Sequence, residues 1–381
     1  MKDKKLFWIF ALSSAVYFTQ GIEGLPTQGL FYYLKETLNL TPQKIMFLGS
    51  FTTFAWMVKP LIGYVIDHIF SKRYWIFISL FLDIIFVLIL GLMQMPLVFL
   101  IMLLAINSSS AAFRDVAVDG IMCVEGKKYQ ATGKIQSIQW TSILLAGLFT
   151  GIGGAFIADK WDYKIGFLCL VPVYLLVGLV AYFYQEQGLE KRYSSLLADL
   201  KALFGDKKLL IIGLFIFLYK YSPSFGTPLF FIQRDSFKWG KMWIGALGSI
   251  STACGVIGAL LYYKFSQRIN IKKWLYFSVF LGALTTLSYL YYIPATAVAY
   301  DIVYSFLGMF IFLMVMDFMA RHSVRGLETT SFALLCSINN LSGVASNLSG
   351  AFLLPLIGLK WLIILSALTS FLCLPLIRKI G

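Results

Sequence analysis

The sequence predicts an all-α integral membrane protein of twelve transmembrane helices in two bundles of six, and three observations carry that prediction. Apolar stretches of roughly 20 residues, the length that crosses ~30 Å of hydrocarbon, recur along nearly all of the 381 residues. Charged residues are only 13% of the chain, about half their share in a soluble domain. Landmarks of the first half also return in the second: Leu48-Gly-Ser50 as Leu247-Gly-Ser249, Asp119 as Asp317, and Ile135-Gln-Ser-Ile-Gln-Trp140 as Leu335-Cys-Ser-Ile-Asn-Asn340, at offsets of 199, 198 and 200. Six helices per copy keep both copies in one orientation, as in carriers built from parallel repeats.

In order, the first six spans fall near 6–34, 43–66, 74–93, 96–124, 133–157 and 163–185, and the second six near 209–233, 242–264, 272–292, 295–320, 327–355 and 359–377. The first follows Met-Lys-Asp-Lys-Lys and is too long for a signal-peptide core. It meets Glu23-Gly24-Leu25-Pro26 before any small-residue cleavage site, so it is expected to stay in the mature protein. The fifth carries Gly147, Gly151, Gly153 and Gly154, which would let a neighbouring helix approach closely. The seventh is interrupted by Pro223, Gly226 and Pro228 beside Lys220, in the place where Glu23-Gly24-Leu25-Pro26 interrupts the first. Broken helices in matching positions of two repeats point at a binding site.

Residues 187–208 form the one long connection. Leu196, Leu197, Leu200, Leu203 and Phe204 share a face there, with Ser195 able to cap the start, the pattern of an amphipathic helix lying on the membrane surface. The expected domains are therefore 1–186, a cytoplasmic linker 187–208, and 209–381.

Charge placement sets the orientation. With the amino terminus inside, 21 Lys and Arg fall in cytoplasmic segments and eight on the opposite side, which places both ends in the cytoplasm. The net charge of +14 then reflects orientation and anionic lipid rather than a nucleic-acid partner. Cys123, Cys169, Cys254, Cys336 and Cys373 sit in apolar stretches without paired spacing and read as small hydrophobes. His68 and His322 stand alone, and no phosphate-binding loop or nucleophile elbow is present. No metal, cofactor or enzymatic activity is expected.

Eight ionisable groups fall well inside the spans: Glu23, Lys59, Asp83, Arg114, Asp115, Asp119, Lys220 and Asp317. Facing lipid, at roughly 2.5 to 3.5 kcal/mol each, they would cost over ~20 kcal/mol, more than the ~5 to 15 kcal/mol that holds a fold together. They are expected to face water or one another. Asp115 and Asp119 are four apart and share a helix face while Arg114 points about 100° away; the two carboxylates repel, and the one that keeps a proton would be the coupling group, unless both are tied into ion pairs, for instance with Lys59. Glu23 and Asp317 are further proton-handling candidates, although Asp317 and Arg321, four apart, can simply pair. Arg114, Lys220 and Lys59 are candidate anchors for an anionic solute, and Tyr17 and Tyr33 beside the helix 1 break could stack on a flat one.

Gly63-Tyr-Val-Ile-Asp67, followed by Lys72 and Arg73, resembles the Gly-x-x-x-Asp-plus-basic signature of the major facilitator superfamily, without its second glycine and with the basic pair displaced. Within that superfamily, YFTQGIEGLP with YYLKETLNLTP, WMVKPLIGYVID, RDVAVDGIMCVEG, IQSIQW and RGLETTSFALLCSINNLSG resemble the folate/biopterin transporter family, which is related to the muropeptide permeases. The resemblance implies a major facilitator fold and membership of Lys59, Asp67, Asp115, Asp119 and Glu328 in shared motifs; Asp67 with Arg73 is expected to latch the cytoplasmic side, and Arg321 is a further gating candidate. The expectation is a monomeric secondary carrier in a bacterial inner membrane, moving an anionic aromatic solute of the folate or pterin class with protons. A carrier of another anion, such as a muropeptide or nucleotide conjugate, and a non-transporting membrane sensor are the alternatives.

Overall fold

A computed structural model describes residues 2–40, 48, 52, 54–186, 196–239 and 241–380, and every regular element among them is helical. Six stretches are long and apolar enough to cross a membrane: Lys72–Leu92, Leu97–Tyr129, Tyr163–Phe183, Ile271–Tyr291, Pro294–Arg321 and Phe352–Ile377. The part of the connecting segment that includes Ser195 lies outside the described residues, as does most of 43–53.

The chain divides into two compact units, Met1–Ser195 with Ser323–Ala333, and Leu196–His322 with Leu334–Gly381. The first contains α1 (Lys2–Ile22), α2 (Thr27–Tyr32), α3 (Phe54–Met57), α4 (Lys59–His68), α5 (Lys72–Leu92), α6 (Leu97–Tyr129), α7 (Thr132–Lys160) and α8 (Tyr163–Phe183). The second contains α9 (Leu196–Gly205), α10 (Lys207–Lys220), α11 (Gly226–Phe231), α12 (Lys241–Phe265), α13 (Ile271–Ser288), α14 (Pro294–Arg321), most of α15 (Glu328–Thr369) and α16 (Leu374–Ile377). Side-chain caps start several of these helices: Asp162 accepts from Lys164 N–H, Asp206 from Lys208 and Leu209 N–H, and Asn270 from Lys273 N–H, each satisfying donors that a helix start leaves open. Within α15, Gly358 adopts a φ of +72°, the left-handed region that glycine tolerates, at the boundary expected between the last two spans.

The repeat is visible in backbone detail. Thr27–Tyr32 runs into a π-helical turn, Tyr33–Thr37, and Gly226–Phe231 runs into another, Ile232–Ser236. Left-handed residues follow at Asn39 and Lys238. Even the closing bonds correspond: Leu38 N–H to Tyr33 O at 3.0 Å and Phe237 N–H to Ile232 O at 2.9 Å. Such turns are rare and costly outside a context that specifies them, so their recurrence at the sequence offset of 199 supports the duplication.

Each helix break is satisfied locally, as a chain in hydrocarbon requires. After α10, Ser224 N–H donates to Ser346 O at 2.9 Å and Ser222 N–H to Ser346 Oγ at 3.1 Å, while Ser366 Oγ donates to Pro223 O at 2.5 Å. After α1, Glu23 N–H still reaches Thr19 O at 2.9 Å before the chain turns. The glycines of α7 divide: Gly154 closes on the Leu25 carbonyl of that turn, whereas Gly147 borders open space and makes no close approach.

Candidate functional site

The second half of α6 is enclosed on all sides. From Arg114 to Cys123 every residue is buried, so its charged side chains can leave in different directions and still avoid solvent. Arg114 is fully buried and bridges two carboxylates, Asp83 on α5 and Glu23 at the end of α1. Tyr174 of α8 donates to the same Glu23 Oε1 at 3.0 Å, with its ring 5.4 Å from the guanidinium carbon. Asp115 accepts from Lys59 Nζ at 2.5 Å and from Gln20 Nε2 at 2.5 Å. Asp119 accepts from Tyr17 Oη at 2.9 Å and from Gln139 Nε2 at 3.3 Å. Among the described residues no cation bridges Asp119.

Three carboxyl groups, Asp83, Glu23 and Asp115, thus share two cations, Arg114 and Lys59, and Asp119 is held by neutral donors. An ion pair removed from water gains only where further hydrogen bonds complete it, and the completing groups here are neutral: Gln20, Tyr17, Gln139 and Tyr174. Sequence reasoning placed Tyr17 beside the break as a stacking residue; the structure sets its ring edge-on to Trp140 and its hydroxyl on Asp119. Tyr33 packs against Tyr163 with centroids 4.8 Å apart. Gln20, Gln139 and Tyr174 carry no charge that would mark them in the sequence. The signal lay in the quoted motifs: Gln20 belongs to YFTQG and Gln139 to IQSIQW, polar residues inside otherwise apolar spans.

Glu23 is the open end of this network. Its side chain is 18% exposed and lines a cavity of about 380 Å³ together with Phe31, Trp56, Asn107, Ser108 and Phe167 among others. The path from cavity to interior runs from Glu23 to Arg114 to Asp83, beside the separate group of Lys59, Asp115 and Gln20.

A second polar cluster in this unit holds Ser323–Ala333 against α4 to α6. Asp67 Oδ2 accepts from Thr330 N–H at 2.9 Å and Thr330 Oγ1 at 2.7 Å, and Lys72 Nζ lies 3.6 Å from Oδ1. Lys127 Nζ donates to Ser323 O at 2.6 Å. Arg73, expected to partner Asp67, instead donates to the carbonyls of Ala181 and Tyr182 at 2.9 and 2.6 Å. It sits at the second position of α5, facing the end of α8, where unpaired carbonyls attract a cation.

In the second unit Asp317 is fully buried and receives a two-pronged bond from Arg321, at 3.0 and 2.7 Å, with Tyr262 Oη at 2.8 Å. This is the pairing that the i,i+4 spacing allows. Lys220, the last residue of α10, is exposed and has no ion-pair partner among the described residues. Among those residues no group of three or more His, Cys, Asp or Glu could hold a metal ion.

The comparisons with known proteins agree with this architecture. The BT1 family profile matches residues 20–380. The chain is 24% identical over 409 aligned positions to a folate-biopterin transporter of Synechocystis, covering 97% of this chain and 81% of that protein. It is 22% identical to folate transporter 1 of Plasmodium falciparum, covering 90% and 72%. Among solved structures, the E. coli fucose:proton symporter, a major facilitator superfamily transporter, superposes with a TM-score of 0.74 at 14% identity, covering 98% of both chains. The fold is therefore that of the major facilitator superfamily, and the chain, an integral membrane transporter rather than an enzyme, belongs to the BT1 family.

Proposed function

We propose that the protein is a proton-coupled secondary carrier of a folate- or pterin-class solute, built on twelve membrane spans with both termini in the cytoplasm of a bacterium, and working as a monomer by alternating access. The observation that carries the reading is the buried charge cluster of the first unit: three carboxyls on two cations, a fourth, Asp119, held by neutral donors, and Glu23 opening on a cavity. A purely structural network would be closed and balanced; this one has a surplus of carboxyls and a wet end. The names of the relatives supply the solute class.

Within this reading Asp119 is the carboxyl that can exchange a proton without breaking an ion pair, and Asp115 and Glu23 are the further proton-handling groups. Asp317, tied to Arg321, contributes structure. Arg114 acts on the solute through Glu23, which it holds in place, and Lys220 is the cation available to an anionic group. Asp67 with Thr330 forms the gate contact, whose release frees Ser323–Ala333 from α4.

The test is uptake of labelled folate and pterin into proteoliposomes under an imposed pH gradient. Accumulation above the level of empty liposomes that falls when the gradient is collapsed is the expected result. Uptake indifferent to the gradient would remove the proton, and no uptake of either compound would remove the solute class.

A further inference from the structure

We infer that the cavity beside Glu23 receives the amino-pyrimidinone edge of a pterin head, an uncharged face rich in hydrogen-bond donors, and excludes the acidic end of the solute. The inference rests on the pteridine reading above and narrows it to one site within the first unit.

The polar atoms of the cavity wall decide its chemistry. Glu23 Oε1 is already engaged by Arg114 and Tyr174, while Oε2 accepts from none of the described residues. Asn107, also in the wall, has a buried Oδ1 with no partner. Both atoms are acceptors. Trp56 gives its one donor to Ser108 Oγ, also in the wall, at 3.0 Å, so the indole is tethered and offers the cavity ring surface. A buried acceptor without a donor is costly, and a ligand that brings two donors on a flat ring can serve Asn107 and the partly exposed Glu23 together. The exocyclic 2-amino group and adjacent ring N–H of a pterin are such a pair.

Size and charge point the same way. About 380 Å³ lies within the range of small-molecule sites and equals the liquid volume of roughly a dozen waters, ample room for two fused rings. Phe31, Trp56 and Phe167 supply aromatic walls suited to a planar heterocycle. Among the described residues of the lining the one charged group is Glu23, which repels a carboxylate tail. Among its described residues the wall carries no basic group, so it favours an uncharged face.

The experiment is equilibrium displacement of labelled pterin from the full-length transporter in lipid nanodiscs. Three competitors are used: pterin, lumazine, which carries oxygen where pterin carries the 2-amino group, and p-aminobenzoylglutamate, which is the tail alone. Lumazine is expected to bind at least tenfold more weakly than pterin. Asn107→Leu should weaken pterin about tenfold and change the other two less than twofold, while Asn107→Asp, which keeps the acceptor, should retain pterin. Equal affinity for pterin and lumazine in the unaltered protein overturns the inference alone, as does an Asn107→Leu effect that weakens head and tail equally. Failure of the unaltered protein to bind any pteridine overturns the solute class and this inference together.

Discussion

Lys59 Nζ stands 2.5 Å from Asp115 Oδ2, and the two side chains are 11% and 4% exposed. The pair joins α4 to α6, and Trp56, one turn before Lys59, places its ring 4.5 Å from the ammonium. A buried ion pair of this kind is worth little against a well-packed apolar pair, but removing one partner strands the other. Lys59→Met or Asp115→Asn alone is expected to cost about 3–5 kcal/mol, and the double substitution much less than the sum. Thermal unfolding in detergent of the four proteins forms the cycle that measures the coupling; additive losses would show that the two residues do not depend on each other.

Arg114 has a heavier task, because one guanidinium serves both Asp83 and Glu23. Its planar fork presents donors in two directions, which the single ammonium of lysine cannot do. Arg114→Lys should therefore melt well below the unaltered protein, and Arg114→Met, which leaves two carboxylates without a cation, lower still. A melting temperature for Arg114→Lys equal to that of the unaltered protein would show that one of the two contacts is dispensable.

Asp119 behaves differently, since neutral groups hold it. Tyr17 and Gln139 donate to the same oxygen, Oδ1, and Gln139 Oε1 is buried without a partner. Asp119→Asn keeps the acceptor for both donors and brings an N–H₂ group toward that orphaned carbonyl. Folded stability is expected to change by less than about 1 kcal/mol. In proteoliposomes, solute exchange at equal concentrations should persist while accumulation driven by a pH gradient falls at least tenfold. Retention of gradient-driven accumulation would move the coupling role to another carboxyl.

How far the sequence reveals these features depends on what each residue's neighbours are. The six long apolar spans, the repeat and the helix breaks at 23–26 and 221–225 follow from composition and from proline and glycine positions, which act locally. The i,i+4 pairing of Asp317 with Arg321 is local too. The partners of α6 are not, because Arg114, Asp115 and Asp119 reach α1, α4, α5 and α7, separated from them by up to 102 residues in sequence. Periodicity tells which residues share a face of a helix, but a segment buried all round has no preferred face. For the same reason Arg73 could be assigned to Asp67 by proximity in sequence, although the carbonyls at the end of α8 claim it.

The contact between α4 and Ser323–Ala333 leaves no room for a side chain at Gly63. A Cβ there would lie 2.8 Å from Thr330 Cα and 3.1 Å from its nitrogen, backbone atoms that cannot turn aside as a flexible side chain could. Gly120 on α6 is equally crowded, by Thr329 and Lys72. Gly63→Ala should therefore push Thr330 off Asp67, with an overpacking cost of about 1–3 kcal/mol concentrated on this one segment. Thr329 is buried, so its accessibility reports the displacement. In a Thr329→Cys protein, adding Gly63→Ala is expected to raise the rate of labelling by a water-soluble thiol reagent several-fold, and Asp67→Asn, which removes the charge behind the Thr330 bonds, should raise it in the same direction. Equal labelling rates with and without Gly63→Ala would mean that the segment holds its position by other contacts and that Asp67 and Thr330 do not form the gate.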